Sequence, residues 1–191
     1  LIHAADSRVL WADRFEGPVD DLLDLRLTIA ARIVSALELR IPMAEANQAA
    51  ALPTANLDSW SAYHRGLWHM YRFNAHDNEI ANQLFSRAVS TDPNFARAYA
   101  GLSFTHFQNA FVGYSTDAET ERWRARQYAD KSMELDPLDP FANLTMGRAH
   151  MLVGDIEGGR TWFERCVELN PNYAFAIYNR ALADAVMGEG A

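Results

Sequence analysis

The chain holds one cysteine, Cys166, among 191 residues. That excludes an internal disulfide and, by itself, any thiolate metal cluster. Lysine is as scarce: Lys131 stands alone, and the other basic residues are arginines spread singly along the chain. With 17 basic against 25 acidic side chains the net charge is −8 and the pI about 5.2, so no nucleic-acid surface is expected. No apolar run reaches the ~18 residues that a membrane crossing needs. Leu1 is not a methionine and no signal peptide follows it. We therefore expect a piece cut from a longer cytoplasmic protein, whose upstream part could still be membrane-attached. Also missing is any serine or cysteine set with a histidine and a carboxylate at a spacing that recommends nucleophilic catalysis. The expectation is a chain with no catalytic residues, no metal and no cofactor.

What is present is helical periodicity, in a composition (49% hydrophobic, 22% charged) ordinary for a soluble globular protein. The stretch from Pro140 to Pro171, PFANLTMGRAHMLVGDIEGGRTWFERCVELNP, sets the pattern. Asp139 can cap a helix whose first position is Pro140, where the missing N–H costs nothing. Phe141, Leu144, Ala149 and Leu152 recur at helical spacing, and Gly147 leaves room for a neighbour. Gly154 ends that helix, because glycine takes the left-handed conformation without steric cost. A second helix from about Ile156 carries Trp162, Phe163, Cys166 and Leu169 inward. Pro137 and Pro171 are 34 residues apart. That period, with the small–aromatic–small–proline series Gly159, Phe163, Cys166, Pro171, resembles the tetratricopeptide (TPR) repeat. The resemblance implies an all-α fold, a right-handed superhelix of helix-turn-helix units that must stack to bury both faces.

Other units follow. Leu57 to about Arg72, capped by Asn56, pairs with a helix from about Asp77 to Ser90, whose Ala81, Phe85, Ala88 and Pro93 repeat the series. Gly66 lies three residues too far upstream, which predicts a connection or helix about one turn longer. A second unit starts at Asn94 as cap, with Tyr99, Leu102, Ser103 and His106 in the large, leucine, small and large places. Ala125, Ala129, Ser132 and Pro137 resume the pattern ten residues late. Trp123 and Tyr128 are expected to fill the missing aromatic position. Thr116–Glu119 reads as a capping box, and 109–115 as an extended loop. A fourth unit begins at Asn172-Tyr173 and has one helix, about Ala174 to Met187. The array covers 57–191, about three and a half units.

Residues 1–17 suggest a β-hairpin turning at Ala5-Asp6-Ser7, followed from Asp20 to about Arg40 by a helix with Leu22, Leu25, Ile29, Ile33 and Leu37 on one face. The run LIHAADSRVLWADRFEGPVDDLL with LTIAARIVSALEL resembles the end of the TolB-like domain of bacterial regulators. Residues 1–40 are then a domain remnant, and 41–56 a linker with two prolines.

Several patterns could suggest chemistry, and a plainer reading is preferred for each. His64 and His69 are five apart, about 140° around a helix, so with His76 they do not make a helical metal pair. Gly154–Gly159 lacks the Gly-Lys-Ser/Thr ending of a phosphate loop and falls at a repeat turn. Cys166 is a small buried residue, and Asn143-Leu-Thr145 lies within a helix. Asp20, Asp21 and Asp24 cluster at a helix start, where acids suit the dipole.

What remains is a surface. In the family that the chain resembles, first helices line a concave groove for peptide segments. That face maps here to Trp60, Tyr63, Leu67, Arg97, Phe104, Gln108, Phe141, Arg148, Phe175 and Tyr178, some of which are expected to pack between units instead. Members that grip chaperone C-terminal carboxylates use lysines and asparagines where this chain has Ala100, Phe104, Leu144 and Arg148, so chaperone tails are not implied. The expected function is a non-catalytic protein-interaction module, the C-terminal TPR region of a bacterial transcriptional or signalling regulator. The alternatives are the regulatory tail of a class III nucleotide cyclase, or an oligomerisation scaffold. A homodimer is expected through the apolar last helix.

Overall fold

The computed structural model describes residues 2, 7, 9, 11–15, 25–30, 32–34, 37, 41, 44, 45 and 57–188. From residue 57 onward the described residues form seven α-helices. They are α1 (Ser59–Met70), α2 (Ala75–Thr91), α3 (Ala96–Gln108), α4 (Ala118–Leu135), α5 (Pro140–Leu152), α6 (Ile156–Leu169) and α7 (Ala174–Met187). Helices α1, α3 and α5 each pack on the even helix that follows. Each even helix touches the next odd one, and α3 also meets α1 and α5. That is a stack of helix pairs with α1, α3 and α5 side by side along one face.

The caps come from short acidic and amide side chains. Asp58 accepts from the Ser61 N–H and Asn74 from Asp77, while Asp155 accepts from Gly158. Asp139 takes two N–H groups, of Phe141 and Ala142, with Pro140 opening α5 as expected. Gly154 ends the α5 turn at φ 82° with open space around it. Three expected caps are displaced. The first unit is capped by Asp58 rather than Asn56, α4 by Asp117 rather than Thr116, and α3 has Phe95 rather than Asn94 at its N-cap, with no side-chain cap.

Glycines set how closely helices approach. The Phe85 ring, fully buried, sits between Gly66 of α1 and Gly101 of α3; a Cβ at either glycine would fall within 2.6–2.8 Å of it. Phe163 rests likewise on Gly147, where a Cβ would meet the ring at 2.4 Å. The three extra residues of the first unit lengthen α2. It starts six residues before Ala81, whereas α6 starts three before Gly159.

The second unit solves its missing aromatic differently from expectation. Ser103 donates to the Ala125 carbonyl at 2.8 Å, so α3 and α4 meet through small residues. Tyr128 stacks on His106 with ring centroids 5.4 Å apart, but Trp123 is 62% exposed and fills nothing. Nor is 109–115 an extended loop: Asn109–Gly113 continue α3 as a π-helical turn. Asn109 explains it, since its side chain accepts from Asn78 of α2 at 2.7 Å and donates to Glu121 of α4 at 3.0 Å. Gly113, at φ 80°, then releases the chain.

Among the described residues there is no strand. The expected hairpin is represented by an isolated antiparallel bridge between Ile2 and Val9, with Ser7 at φ 57°. Residues 25–30 and 32–34 are helical, and so are Ile41, Ala44 and Glu45 within the expected linker. Asn56, Asp20, Asp21 and Asp24 lie outside the described residues.

Candidate peptide groove

The odd helices project their inner faces together, but that face is not an open trough. Tyr63, Leu67, Phe104, Gln108, Phe141 and Arg148 are buried. Arg97 and Phe175 are half-buried, whereas Trp60 is 44% and Tyr178 62% exposed. Rings from opposite ends of the array close over the middle. Tyr71, at the end of α1, stacks on Phe175, at the start of α7, with centroids 5.6 Å apart. Phe73 lies 6.5 Å from Phe104 and 6.4 Å from Phe175. Phe73 holds a left-handed φ of 51°, which is uncommon for a bulky residue, and Tyr114 donates to its carbonyl at 3.0 Å.

Arg148 is at the centre. Its Cζ lies 4.3 Å from the Phe104 ring centroid, 4.9 Å from Phe107 and 5.7 Å from Phe175. Its Nε donates to Asn179 Oδ1 at 3.2 Å. Burial lowers its pKa to about 10, which leaves the guanidinium charged at neutral pH. Gln108, on the α3 face one turn beyond Phe104, is 2% exposed, and neither amide atom has a hydrogen-bond partner.

At the other end, the Arg97 guanidinium pairs with Asp139, the cap of α5. Trp60 donates to Glu45 at 2.9 Å and stacks beside Phe95. His64, 2% exposed, has both ring nitrogens without hydrogen-bond partners. Burial, with Arg97 nearby, pulls its pKa from 6.5 to about 4, so it is neutral at pH 7. The three histidines do not converge: His69 bonds Asp77 at 2.6 Å and His76 is exposed. Among the described residues no group of three or more His, Cys, Asp or Glu is placed to hold a metal. Cys166 is buried and donates to the Pro140 carbonyl at 2.9 Å.

Sequence spacing missed Gly101, Tyr71, Phe73, Phe107 and Asn179. Phe107 stands three residues after Phe104 and Asn179 four after Phe175, so helical spacing could have found both. Phe73 reaches the face through a turn conformation that carries no local signal.

No family model matches the chain. It is 25% identical over 152 residues to a Rhizobium meliloti (strain 1021) protein named "Putative adenylate cyclase 3". The match covers 78% of this chain but 25% of that protein, so the chain spans about a quarter of its curated relative. Among solved structures, the first TPR domain of human RPAP3 matches with a TM-score of 0.54 at 14% identity, over 69% of this chain and 94% of that one. The first TPR of Spaghetti (RPAP3), bound to the HSP90 peptide SRMEEVD, matches at 0.52 and 14%, over 68% and 93%. The fold is therefore that of a TPR domain. No helix among the described residues is long and apolar enough to cross a membrane.

Proposed function

We propose that the chain is a non-catalytic module that holds an extended protein segment along the inner face of its helix pairs. On this reading it is the C-terminal TPR region of a bacterial signalling or transcriptional regulator, cytoplasmic, with residues 1–40 the tail of a TolB-like domain and 41–56 a linker. The observation that carries it is the inner face. On it Trp60 and Tyr178 expose aromatic rings of low rotamer entropy beside the half-buried Phe175 and Arg97, over the buried Phe104, Phe141 and Arg148. The Spaghetti domain, of like fold, was solved with a peptide bound, which supports a peptide ligand here. Phage-displayed random peptides selected on the intact chain test the idea, with the footprint mapped by amide chemical shifts. Shifts on α1, α3, α5 and α7 are expected, together with weaker binding by Trp60→Ala and Tyr178→Ala. Absence of any binder, or a footprint on α2, α4 and α6, overturns it.

A second reading places the module on a nucleotide cyclase as its regulatory tail, favoured by the similarity to the Rhizobium protein. The upstream sequence discriminates: a cyclase core with paired metal-binding aspartates supports this reading, a winged helix the first. We also propose a homodimer through α7, whose Ile177, Tyr178, Val186 and Met187 are exposed.

A further inference from the structure

The last turns of the first three odd helices repeat one side chain. His69 stands three residues after Gly66, His106 three after Ser103 and His150 three after Gly147. Each ring bonds through Nδ1 to a carboxylate at the start of the following even helix: His69 to Asp77 at 2.6 Å, His106 to Glu121 at 2.6 Å and His150 to Asp155 at 2.7 Å. Two of the rings also reach backward through Nε2. His106 meets Asn82 Nδ2 of α2 at 3.3 Å, and His150 meets Arg126 Nη1 of α4 at 3.2 Å. Asn82 and Arg126 hold equivalent places, each directly after the small residue of its helix, Ala81 or Ala125. Among the described residues no even helix precedes His69. Between the third and fourth units the same two places hold Arg160 and Asp184, which pair directly.

The bonds fix the state of these two rings. The Thr105 hydroxyl donates to the Leu102 carbonyl at 2.8 Å, so its oxygen accepts from Asn82, 2.8 Å away, and the Asn82 group that faces His106 is the amide NH2. A guanidinium has no acceptor at all. Nε2 of both rings is therefore the acceptor, Nδ1 carries the proton, and both imidazoles are neutral. A proton added at Nε2 sets donor against donor, and in His150 it also sets an imidazolium against the Arg126 cation. The Nδ1 bond to the carboxylate survives and strengthens, because its donor is then charged. Acid thus cuts the link to the preceding helix pair and keeps the link within the pair.

Facing His106 are Glu79 and Asn82 of α2 and Glu121, Arg124 and Tyr128 of α4. Facing His150 are Arg126 of α4, itself paired with Asp130, and Asp155 and Trp162 of α6. We propose that His106 and His150 are proton-sensitive couplings between helix pairs, and that acid loosens the stack at both and opens the inner face. Two of the three interfaces between the first unit and α7 carry such a ring, and small rotations at successive interfaces add along an array. The contact that reads their sum is Tyr71 on Phe175. Burial holds the His106 pKa below the ordinary histidine value, against the Glu121 bond that raises it. Its neutral form therefore stabilises the stack at pH 7, and that contribution falls as the pH drops below about 6.5.

Long-range proton–nitrogen spectra of the native chain read the tautomers, and a pair of nitroxide labels reads the geometry by electron–electron coupling. The labels go on Ser86→Cys of α2 and Thr161→Cys of α6, both exposed, with Cys166→Ala removing the native thiol. At about pH 7.5 both rings should be the Nδ1–H tautomer, and both should titrate above about pH 4.5. Over that range the distance between the labels should lengthen and its distribution broaden, while helical circular dichroism holds. Combining His106→Gln with His150→Gln should abolish the change, because both titrating rings are gone. Should that double variant not fold, the Asn82 side-chain NH2 and Arg126 guanidinium resonances of the native chain decide: they should follow the ring titrations with the midpoint of the label distance. Nε2–H tautomers, rings that stay neutral over the range, or an unchanged distance overturn the proposal. A change that persists in the double variant assigns it to His64 or another group and also overturns it. So does loss of helix with the same midpoint, because each pair is expected to stay intact.

Discussion

Replacing Gly101 by alanine should destabilise the protein although alanine is the better helix former. The intrinsic preference favours the substitution by about 1 kcal/mol. Against it stands the Phe85 ring, three of whose atoms would lie 2.8 Å from the new Cβ. The ring is fully buried and cannot retreat, because α1 approaches its other side at Gly66, where a Cβ would sit 2.6 Å from it. Overpacking a filled core costs about 1–3 kcal/mol, so a net loss of up to about 2 kcal/mol is expected after the helix gain. Shortening the ring tests the cause. In a Phe85→Leu background Gly101→Ala should be neutral, or stabilising by up to about 1 kcal/mol. Urea melts of the four proteins form a double-mutant cycle, with coupling of at least about 1 kcal/mol expected at constant m-value. A higher midpoint for Gly101→Ala alone, or strictly additive effects, would refute the reasoning.

Phe163→Ala should cost roughly 3–5 kcal/mol, the range for emptying a buried aromatic site, and Trp60→Ala clearly less because that ring is 44% exposed; equal losses in urea would make Trp60 a packing residue. Stability should fall as pH drops from about 6.5 to about 4, since the unfolded chain protonates His64 first while the buried ring resists it. The loss is at most about 3 kcal/mol, and burial of His106 acts in the same direction. His64→Leu should flatten the pH 7 to pH 5 difference in urea midpoints, and an unchanged slope would assign it to other groups. Light scattering should give a dimer mass that Tyr178→Glu with Leu182→Glu shifts toward monomer; a monomer at high micromolar concentration removes the dimer. Chelator should leave the thermal midpoint unchanged, and a large drop would reveal a structural metal.

Local patterns in the sequence determined the helices and their pairing. Asp139-Pro140 and Gly154 mark the bounds of α5 because capping and left-handed turns depend on single residues and their immediate neighbours. The 34-residue spacing and the buried Phe85, Phe163, Ala88 and Cys166 were legible for the same reason: a helix face repeats on a fixed period. Tertiary structure decided the rest. Gly101 matters only because Phe85 of another helix presses on it. Asn109 holds a π-helical turn only because Asn78 and Glu121 arrive from two sides. The inner-face residues occupy the periodic positions of their own helices, but whether that face stands open depends on superhelix curvature. Curvature sums small rotations over several units, and no single unit encodes that sum. Here it brings Tyr71 and Phe175, 104 residues apart, into ring contact above a buried Arg148.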